Sequence, residues 1–579
     1  MSRTRNLTAV LGVAALGATA ALATGAPAEA VPTSATTLVV NANQTLRSVT
    51  HVGTGSLYGL ADDSTPADSL VTPLKPNTFV QMAPGGHQLP NGEPRPAGDS
   101  LVVAPKAARA GAKVVIRMPD WYPDFPYKWV SMSDWLSAVD TQIASVKSST
   151  ATNIAAWAIW NEPDANWDTA KAGPFNTAWN TTYKEIRSKD TTTPIQGPSY
   201  SSWNQSDMNT FLTQAKANNT VPDVIAWHEL QGSANIAAHV SAYRALESSL
   251  GISPRPIDIE EYGTPSEMGN SGALIGYAAK FERAGVRDAE LAFWNHYGTL
   301  GDTLTDTGGS PNGSYWTYKW YGDMSGNMLV TTPPAQTGID GLASRNGAGN
   351  QISVIAGGCA GSCAVTVNGL SSLSAFGSTV HVKLEYSPGT GRTTASPGPI
   401  TISDADYTVS GGSITVPVTM NATDGYHLVI TPSGTNTSLA GRYQITNKNS
   451  GLALDTLNAG TAQGTSVVQA TSTTGTDQNW TLVAAGSGLY KILNQKSGLL
   501  LGITNAGTGD GGTALIWGDN GTADHLWQVI PARDGYYKIA NYNSGRLLGV
   551  DQMSTSSGAQ VLQWTDNGTA DHLWRLTSR

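Results

Sequence analysis

The sequence is poor in charged residues and carries only two cysteines. Asp, Glu, Lys and Arg make up 13% of its 579 residues, about half the share that is usual in globular proteins. The 34 basic residues are outnumbered by 43 acidic ones and form no stripe, so we expect no nucleic-acid partner. After residue 30, no run approaches the roughly 20 uninterrupted apolar residues of a spanning helix, so we expect no membrane span.

Phenylalanine is also scarce, with 7 residues, whereas tryptophan reaches 17 and glycine 63. A weakly charged surface that is rich in indole rings is suited to stacking on sugar rings. A chain of 579 residues exceeds the usual size of one hydrophobic core, so we expect several domains.

Residues 1–30 look like a secretory signal peptide. Arg3 and Arg5 precede an apolar run that ends at Ala28-Glu29-Ala30, a small-x-small cleavage pattern. We therefore expect a secreted, extracellular protein. Cys359 and Cys363 fit that compartment as a local disulfide. Two thiols are too few ligands for a structural zinc site, so we expect no metal, and no organic cofactor is needed for the chemistry inferred below.

From about residue 48 to 326, short apolar runs alternate with helical patterns, which indicates successive βαβ units. Eight strands in roughly 250 residues is the size of a (β/α)8 barrel, which we assign to residues 31–326. A helix is predicted over 131–148, because Ser131 with Asp134 resembles a capping box. The predicted strands lie near 49–53, 78–82, 113–118, 153–160, 194–197, 223–228, 256–261 and 288–294.

Two of these strands end in carboxylic acids. The fourth runs into Trp160-Asn161-Glu162-Pro163, and the seventh is Ile259-Glu260-Glu261-Tyr262-Gly263. Chemistry in β/α barrels takes place at the C-terminal ends of the strands. The two segments resemble the acid/base and nucleophile strands of the large clan of retaining glycoside hydrolases with barrel folds. The resemblance implies that Glu162 is the acid/base and Glu261 the nucleophile.

The adjacent pair Glu260-Glu261 forces a choice of nucleophile. Successive strand residues face opposite ways, so only one of the two is expected to point into the cleft. The clan pattern of acid, aromatic and glycine selects Glu261. Glu260 is then expected to face the helix layer or to pair with a neighbour such as Arg255, unless a bulge alters the register.

Other strand ends carry side chains that suit a sugar. Asn161 is placed to bind the 2-hydroxyl of the sugar, and Trp294 is expected to form a floor under the scissile sugar. His228 is expected to neighbour the nucleophile. The loop 83–100, rich in Pro and Gly, is expected to wall the cleft. Further candidates for substrate binding are Trp121, Tyr122 and His87.

Residues 327–433 consist of short alternating strands separated by Gly, Ser, Asn and Pro, which predicts a small antiparallel β-sandwich. An extra strand near 37–41 is expected to join it. A barrel followed by such a sandwich resembles glycoside hydrolase family 39, the β-xylosidase and α-L-iduronidase group. Glu260 stands where that group commonly has Thr or Asn, and Leu230 where it often has an aromatic residue. These departures leave the sugar open.

A polar linker, residues 434–438, precedes an internal repeat of 47 residues over 439–579. The repeated residues are expected to form the core of a threefold β-trefoil; they include Tyr443, Tyr490 and Tyr537, and Trp480, Trp527 and Trp574. The repeats resemble the ricin-B-type lectin domain of carbohydrate-binding module family 13. That family forms each pocket from an Asp and an aromatic residue, and no repeat here has both in place. The resemblance implicates Asp455, Trp517, Trp564 and Asp551 in sugar binding.

The expected architecture is therefore a (β/α)8 TIM barrel, a small antiparallel β-sandwich and a C-terminal β-trefoil. The expected function is that of a secreted retaining glycoside hydrolase that cleaves a polysaccharide or glycoconjugate through two glutamates and is targeted by the trefoil. We expect a monomer. The alternatives are a non-catalytic carbohydrate-binding protein and a transglycosylase. The sugar, the linkage and the choice between exo and endo action stay open.

Overall fold

The computed structural model describes residues 34–86, 88, 98–292, 300, 303–433, 439–486, 489–532 and 535–579. The predicted signal peptide, residues 1–30, and the predicted linker, residues 434–438, lie outside the described residues. Within the described ranges, no helix has both the length and the apolar character that crossing a bilayer requires.

The first strand, β1 (Thr37–Ser48), lies outside the barrel. Eight strands then close into a parallel barrel, which confirms the predicted barrel fold. They are β2 (Gly55–Leu57), β3 (Thr78–Met82), β4 (Lys113–Arg117), β5 (Ile154–Ala158), β6 (Ile195–Tyr200), β7 (Val224–Glu229), β8 (Ile257–Tyr262) and β9 (Asp288–Leu291).

Helices surround the barrel. In the third of them, Trp135, Val139 and Ile143 repeat at helical spacing and are buried, which packs this helix on the barrel. It begins where the capping pattern predicted, because the Ser131 hydroxyl accepts a hydrogen bond from the Asp134 backbone N–H at 3.1 Å. The helices are α1 (Asp68–Val71), α2 (Ser100–Arg109), α3 (Met132–Ser148), α4 (Pro163–Asn166), α5 (Thr169–Ala172), α6 (Phe175–Lys189), α7 (Gln205–Ala217), α8 (Ile236–Ser249), α9 (Ser271–Ala284) and α10 (Gly313–Asp323).

The first barrel strand lies later than the sequence indicated. The segment 49–53 was predicted as that strand, but β2 begins only at Gly55. Gly53 packs against α9, where an added Cβ would lie 3.4 Å from the Cβ of Ala278. The apolar character of 49–53 therefore serves contact with a helix, and the prediction of a strand there is wrong.

The second unit is one nine-stranded sheet to which β1 contributes, as expected from the sequence. All its neighbouring pairs are antiparallel except β1 with the strand at Gly361–Asn368. Val380 and Val416, near opposite ends of the sheet, share one core, so the sheet folds over itself. Its other strands are β10 (Asn327–Thr332), β11 (Asp340–Arg345), β12 (Ile352–Gly357), β13 (Gly361–Asn368), β14 (Thr379–Ser387), β15 (Ile400–Thr408), β16 (Ile414–Met420) and β17 (Gly425–Pro432).

Buried ion pairs join the sandwich to the barrel. Asp340 on β11 accepts from Lys280 at 2.9 Å and from Arg283 at 2.7 Å, and both cations belong to α9. Arg47 on β1 pairs with Glu282 of the same helix at 2.7 Å. Removing one partner of such a pair typically costs about 3–5 kcal/mol, because the other charge stays buried without compensation. The two units therefore dock through α9.

Cys359 and Cys363 lie close together at the turn that leads into β13, with Cα atoms 6.6 Å apart. We expect a disulfide here, so a thiol reagent should find no free cysteine in the unfolded, unreduced protein. Because the loop is short, its closure removes little unfolded-state entropy, and replacing both cysteines by Ser should destabilise the sandwich by about 2 kcal/mol or less. Thermal unfolding measures this loss, and a reactive thiol would rule the bridge out.

The third unit is a twelve-stranded β-trefoil, as the repeat predicted. Trp480, Trp527 and Trp574 are fully buried. Their indole N–H groups donate to the backbone carbonyls of Leu454, Leu501 and Leu548, each 26 residues earlier in the chain. These repeated residues are thus core, as expected. The strands are β18 (Gly441–Asn447), β19 (Ala453–Thr456), β20 (Val467–Ala470), β21 (Asn479–Gly486), β22 (Leu489–Asn494), β23 (Leu500–Ile503), β24 (Gly512–Trp517), β25 (Trp527–Pro531), β26 (Tyr537–Asn541), β27 (Leu547–Val550), β28 (Val561–Trp564) and β29 (Trp574–Ser578).

Candidate active site

Glu162 and Glu261 lie at the C-terminal ends of barrel strands. Glu162 follows β5, and its backbone N–H donates to the Ser199 carbonyl of β6 at 2.8 Å. Pro163 begins α4 directly after it, and Glu162 adopts the left-handed backbone conformation with φ 49°. This conformation is uncommon for a residue with a Cβ and is held here by the neighbouring strand and helix.

A buried histidine bridges the two carboxylates. His228 Nδ1 lies 3.3 Å from Glu162 Oε1, and His228 Nε2 lies 3.8 Å from Glu261 Oε1. One atom from each of the three side chains lies within 4.8 Å of the other two. The side chains of Glu162 and Glu261 are 16% and 11% exposed, whereas that of His228 is fully buried. The two carboxylates therefore face the cleft, and the imidazole lies behind them.

Glu260 also points into the barrel, which corrects the expectation that it faces the helix layer or pairs with Arg255. In the pairing of β7 with β8, Ala226 is opposite Asp258 but His228 is opposite Glu261, so β8 holds an extra residue. This β-bulge turns two successive acids to the same side. Glu260 is completely buried and accepts a hydrogen bond from Gln196 Nε2 at 2.6 Å.

Arg117 is the cation of the site. It ends β4, is almost fully buried, and its Nη1 donates to Glu261 Oε1 at 2.7 Å. The guanidinium also lies over the ring of Tyr58, whose hydroxyl donates to Asp120 at 2.5 Å. The Tyr127 hydroxyl donates to the other oxygen of Asp120 at 2.7 Å. This network fixes the position of Arg117 and, through it, of Glu261.

Burial raises the pKa of Asp120 to about 6, against the lowering effect of Arg117 and the two tyrosine hydroxyls.

The sequence interpretation did not select Tyr58, Asp120 or Tyr127. Tyr58 was missed because the first strand was placed too early, so its position at a strand end was not evident. Arg117 was given no role either, although a single cation near the end of the predicted apolar strand 113–118 was a signal that could have found it.

The charges around His228 decide its protonation. Burial favours the neutral ring, but Glu261, Glu162 and Glu260 together raise the pKa of His228 to about 10. The imidazolium acts in turn on its neighbours. Burial alone would raise the pKa of Glu162, but the hydrogen bond and charge of His228 lower it below its ordinary value. His228 and Arg117 lower the pKa of the buried Glu260 in the same way.

Asn161 lies directly before Glu162, is 3% exposed, and its Oδ1 accepts no hydrogen bond from the described residues. A buried amide oxygen without a partner is available to a ligand. Tyr122, by contrast, stacks on Trp135 and donates from its hydroxyl to Asp134 at 3.0 Å. It packs against α3, and its assignment to substrate binding stays a prediction.

Trp121 lines an open cavity of about 470 Å³ that is bordered by α2 and α3 and includes Gly85 and Thr141. This cavity lies against the helices, and no ring or hydrogen-bond contact joins Trp121 to the glutamates among the described residues. Trp294 and His87 lie outside the described residues.

A metal ion would find one set of three candidate ligands within the described residues, Glu162, His228 and Glu261. The set suits a cation poorly. A protonated imidazole offers no lone pair, and Arg117 already holds the nearest oxygen of Glu261 at 2.7 Å. The arrangement is better suited to proton transfer and nucleophilic attack than to metal binding.

The trefoil presents two equivalent exposed indoles. Trp517 and Trp564 are 41% and 42% exposed, and each lies against a glycine of the preceding repeat, Gly464 or Gly511. Such a ring offers its face to a pyranose. Gly502 and Gly549 stand in the second and third repeats where the first repeat has Asp455. The rings of His525 and His572 occupy the space that a side chain at Gly502 or Gly549 would need.

The first repeat lacks the indole and keeps the carboxylate. Asp455 is 8% exposed, and its Oδ2 accepts from Gln478 Nε2 at 2.9 Å. Burial and the charge of Asp477 raise the pKa of Asp455, against the hydrogen bond from Gln478. Asp551 begins a short 3-10 helix after β27 and is partly exposed. Asp551 and Trp564 belong to the same repeat, on the paired strands β27 and β28 or directly after them, whereas the first repeat carries Asp455 without an indole.

The chain is similar to known proteins of two kinds, lectin-like domains and glycosidases. The family described as "Ricin-type beta-trefoil lectin domain-like" matches residues 426–517 and 523–579. The chain is 30% identical over 457 residues to the 3-O-alpha-D-galactosyl-alpha-L-arabinofuranosidase of Bifidobacterium longum subsp. longum, covering 65% of this chain and 39% of that protein. It is 29% identical over 454 residues to the 3-O-beta-L-arabinopyranosyl-alpha-L-arabinofuranosidase of Bifidobacterium pseudocatenulatum, covering 65% of this chain and 46% of that protein.

The chain spans less than half the length of these two curated relatives. A solved structure, N2152 from Neocallimastix frontalis, is 36% identical with a TM-score of 0.65, and the match covers 69% of this chain and 99% of that chain. The predicted resemblance to glycosidases and to ricin-type lectins is confirmed. The chain belongs to the same family as N2152 from Neocallimastix frontalis, is related to named arabinofuranosidases, and carries a ricin-type β-trefoil lectin domain-like unit.

Proposed function

We propose that the barrel is a retaining glycoside hydrolase. The observation that carries the proposal is the distance between Glu162 and Glu261, whose nearest carboxylate oxygens lie within 4.8 Å. Retaining enzymes hold their two carboxyl groups about 5–5.5 Å apart, whereas inverting enzymes need about 6.5–9.5 Å to admit a water between them. The short gap here supports the retaining arrangement, in which the second carboxylate attacks the sugar directly.

The mechanism follows from the two environments. Glu261, ion-paired with Arg117, attacks the anomeric carbon while Glu162 donates its proton to the leaving oxygen. The bond from the anomeric carbon to the leaving oxygen breaks, and a glycosyl ester forms on Glu261. Glu162, now a carboxylate beside the His228 imidazolium, then removes a proton from water, which attacks the ester carbon and releases the sugar.

We further propose an arabinofuranoside as the substrate. Both curated relatives are named as α-L-arabinofuranosidases that act on 3-O-substituted arabinose, and they match the chain over 65% of its length. Asn161, with its free Oδ1, is placed to bind the 2-hydroxyl of such a sugar. The polymer that carries the arabinose would be a polysaccharide or glycoconjugate outside the cell, given the signal-like residues 1–30.

A substrate panel tests this proposal. The purified protein should release nitrophenol from an aryl α-L-arabinofuranoside faster than from aryl β-D-xyloside or β-D-galactoside. With an arabinose-rich polysaccharide, proton NMR should show that the first released sugar keeps the anomeric configuration of the substrate. An inverted first product would overturn the retaining mechanism. Absence of turnover on every substrate would favour a non-catalytic carbohydrate-binding protein, and transfer to an added sugar in preference to water would indicate a transglycosylase.

The trefoil is proposed to hold the enzyme on its polymeric substrate through Trp517 and Trp564. Replacing both by Ala should lower retention on an insoluble polysaccharide at least about tenfold, because each lost stack is worth roughly 0.5–1.5 kcal/mol beyond its apolar area. The measurement uses the full-length chain carrying Glu261→Gly, so that the enzyme does not digest the insoluble polysaccharide. Tyr542, 57% exposed on the same unit, provides the control: Tyr542→Ala should bind like the parent. Unchanged retention of the double Trp variant would refute the assignment.

A further inference from the structure

The trefoil has three equivalent junctions at which its repeats meet. At each of them the backbone N–H of a glycine in one repeat donates to the carbonyl of the residue before the indole position in another. The donor and acceptor are Gly464 and Ile516 at 2.9 Å in the first junction, Gly511 and Gln563 at 3.0 Å in the second, and Gly558 and Gln469 at 2.7 Å in the third. The indole positions themselves hold Trp517, Trp564 and Ala470. The three junctions therefore share one backbone arrangement, and their side chains decide what each can bind.

The second junction carries a fixed pair of charges beside its indole. The ring of Trp564 lies 3.7 Å from where a Cβ on Gly511 would stand. The neighbouring Asp510 accepts from the Thr565 backbone N–H at 2.7 Å and from Arg546 Nε at 2.6 Å. Asp510 comes from the second repeat, whereas Arg546 and Thr565 come from the third. A carboxylate and a guanidinium are thus held together across the boundary, next to an exposed ring.

This pair keeps hydrogen-bonding capacity for a ligand. The side chains of Arg546 and Asp510 are 28% and 34% exposed. Among the described residues, Arg546 is bonded only through Nε, so the N–H groups on both Nη atoms are available. Asp510 Oδ2 accepts only from the Thr565 hydroxyl, at 3.1 Å, and a carboxylate oxygen can accept about two hydrogen bonds. Burial raises the pKa of Asp510, but the hydrogen bonds from Arg546 and Thr565 bring it below its ordinary value, so the acid is ionised at neutral pH.

The other two junctions lack the pair. In the first junction, the residues equivalent to Asp510, Arg546 and Thr565 are Gln463, Leu499 and Gly518. Only one related contact remains there, a 3.4 Å hydrogen bond from the Gly518 backbone N–H to Gln463 Oε1. In the third junction, the equivalent residues are Ser557, Leu452 and Thr471. A charged pair that flanks an indole is therefore specific to the second junction.

No acid of the third repeat itself takes the place of Asp510. β27 and β28 pair Leu547 with Trp564, whereas Asp551 follows the opposite end of β27. Asp551 and the indole are therefore separated by the length of the strand pair. The carboxylate that accompanies Trp564 is supplied by the preceding repeat, a combination that inspection of each repeat by itself does not reveal.

We propose that the second junction is the principal carbohydrate site of the trefoil, where the ring of Trp564 packs on a neutral pyranoside whose adjacent hydroxyls bind Asp510 and Arg546. One hydroxyl donates to Asp510 Oδ2, and its neighbour accepts from an Nη atom of Arg546. Hydrogen bonds with one charged partner are roughly twice as strong as those between neutral groups, so the pair adds orientation and affinity to the apolar contact. The proposal rests on the proposed binding of carbohydrate by Trp517 and Trp564, and it ranks the two indoles.

The charges of the junction favour a neutral sugar over an acidic one. The charges of Asp510 and Arg546 cancel, and a uronic acid carboxylate that reached Arg546 would also lie beside the carboxylate of Asp510. Each sugar hydroxyl can both donate and accept, so two adjacent hydroxyls satisfy the carboxylate and the guanidinium at once. The ligand class that fits is therefore an uncharged pyranoside.

Affinity electrophoresis tests the site, with the full-length chain carrying Glu261→Gly as the parent. The probes are neutral arabinoxylan, galactan and mannan, and polygalacturonate is the acidic probe. Asp510→Gln combined with Arg546→Leu gives the second junction the residues of the first, so the trefoil should keep its fold. Affinity for the neutral polysaccharide that the parent binds best should fall at least about tenfold, because two charge-assisted hydrogen bonds are lost. Should this variant fail to fold, Asp510→Asn keeps the shape of the side chain and should still lower the affinity.

The pseudo-symmetry of the trefoil supplies matched controls. Gln463→Ala changes the residue that is equivalent to Asp510 in the first junction, and it should bind like the parent. Trp564→Ala should lower the affinity at least about tenfold and Trp517→Ala less than about threefold. In a Trp564→Ala background, the second junction is transferred to the first by the triple replacement Gln463→Asp, Leu499→Arg and Gly518→Thr. This transfer should raise the affinity at least about fivefold.

Three results would overturn the proposal and leave carbohydrate binding by the indoles standing. The first is parent-like affinity of the Asp510→Gln, Arg546→Leu variant together with lost binding by Trp564→Ala. The second is a transfer that does not raise the affinity. The third is tighter binding to polygalacturonate than to every neutral polysaccharide, lost at high salt. A parent that binds none of the polysaccharides would refute the proposed carbohydrate binding by the trefoil and this site with it.

Discussion

Replacement of Glu261 by Gly is expected to abolish hydrolysis, with a loss of kcat of at least about 10⁴-fold. Removal of a covalent nucleophile takes away the step that splits the reaction into two, and losses of roughly 10⁶-fold occur in other nucleophilic enzymes. The glycine leaves space beside Arg117, whose guanidinium held the lost carboxylate at 2.7 Å. Added azide should enter this space and form a glycosyl azide of inverted configuration, because only one displacement then takes place.

NMR of the azide product and the rate with an aryl glycoside measure this outcome. Glu260→Gln is the neighbouring control, since Glu260 forms no bond to the sugar in this mechanism and its replacement should retain turnover. If Glu260→Gln eliminated turnover and Glu261→Gln spared it, the nucleophile would be Glu260. If Glu261→Gly kept more than a few per cent of the parent rate, the two-carboxylate mechanism would fail.

Replacement of Glu162 by Ala is expected to slow turnover about 10²–10⁴-fold, the usual contribution of a general acid and base. The loss should depend on the substrate. A nitrophenolate leaves without protonation, so kcat/KM for such a substrate should change little while kcat falls, because the second step still needs a base to deprotonate water. Azide needs no deprotonation, so it should restore kcat and yield a glycosyl azide with retained configuration.

The configuration of the azide product distinguishes the two glutamates: inverted for Glu261→Gly, retained for Glu162→Ala. A burst of nitrophenol equal to the enzyme concentration would show the accumulated glycosyl ester directly. Equal losses for good and poor leaving groups would contradict the role of Glu162 as the acid.

Because the His228 imidazolium lowers the pKa of Glu162, the parent should be most active at acidic pH, and activity should fall as pH rises and Glu162 loses its proton.

The fold could be predicted because its signals are local and repeated. The alternation of apolar runs with helical patterns is enough to predict a barrel. The equal spacing of Trp480, Trp527 and Trp574 is enough to predict a trefoil, since each small repeat must share its core with the others. The prediction failed at 49–53, where a short apolar run contacts a helix. Periodicity measures how apolar a segment is, and it does not tell which surface the segment meets.

The positions of Glu162 and Glu261 at strand ends could be predicted from the sequence, because an acidic residue at the C-terminal end of a buried barrel strand lies at the rim of the barrel. His228 was expected beside the nucleophile, but the other polar contacts of the site could not be predicted. Arg117 donates to Glu261, Tyr58 contacts Arg117, and Gln196 donates to Glu260. These residues lie in or directly after different strands, and only closure of the barrel brings their side chains together. Their separate sequence contexts contain nothing that relates them.

The sequence by itself determined the three-unit architecture, the two glutamates and the exposed indoles, because each depends on residue type and spacing along the chain. Only the tertiary structure decided the direction of Glu260 and the protonation of His228. The first depends on how β7 and β8 pair across a bulge, and strand alternation alone predicts the opposite side. The second depends on three carboxylates that meet around one buried ring, since electrostatic interaction acts through distance in space and not along the chain.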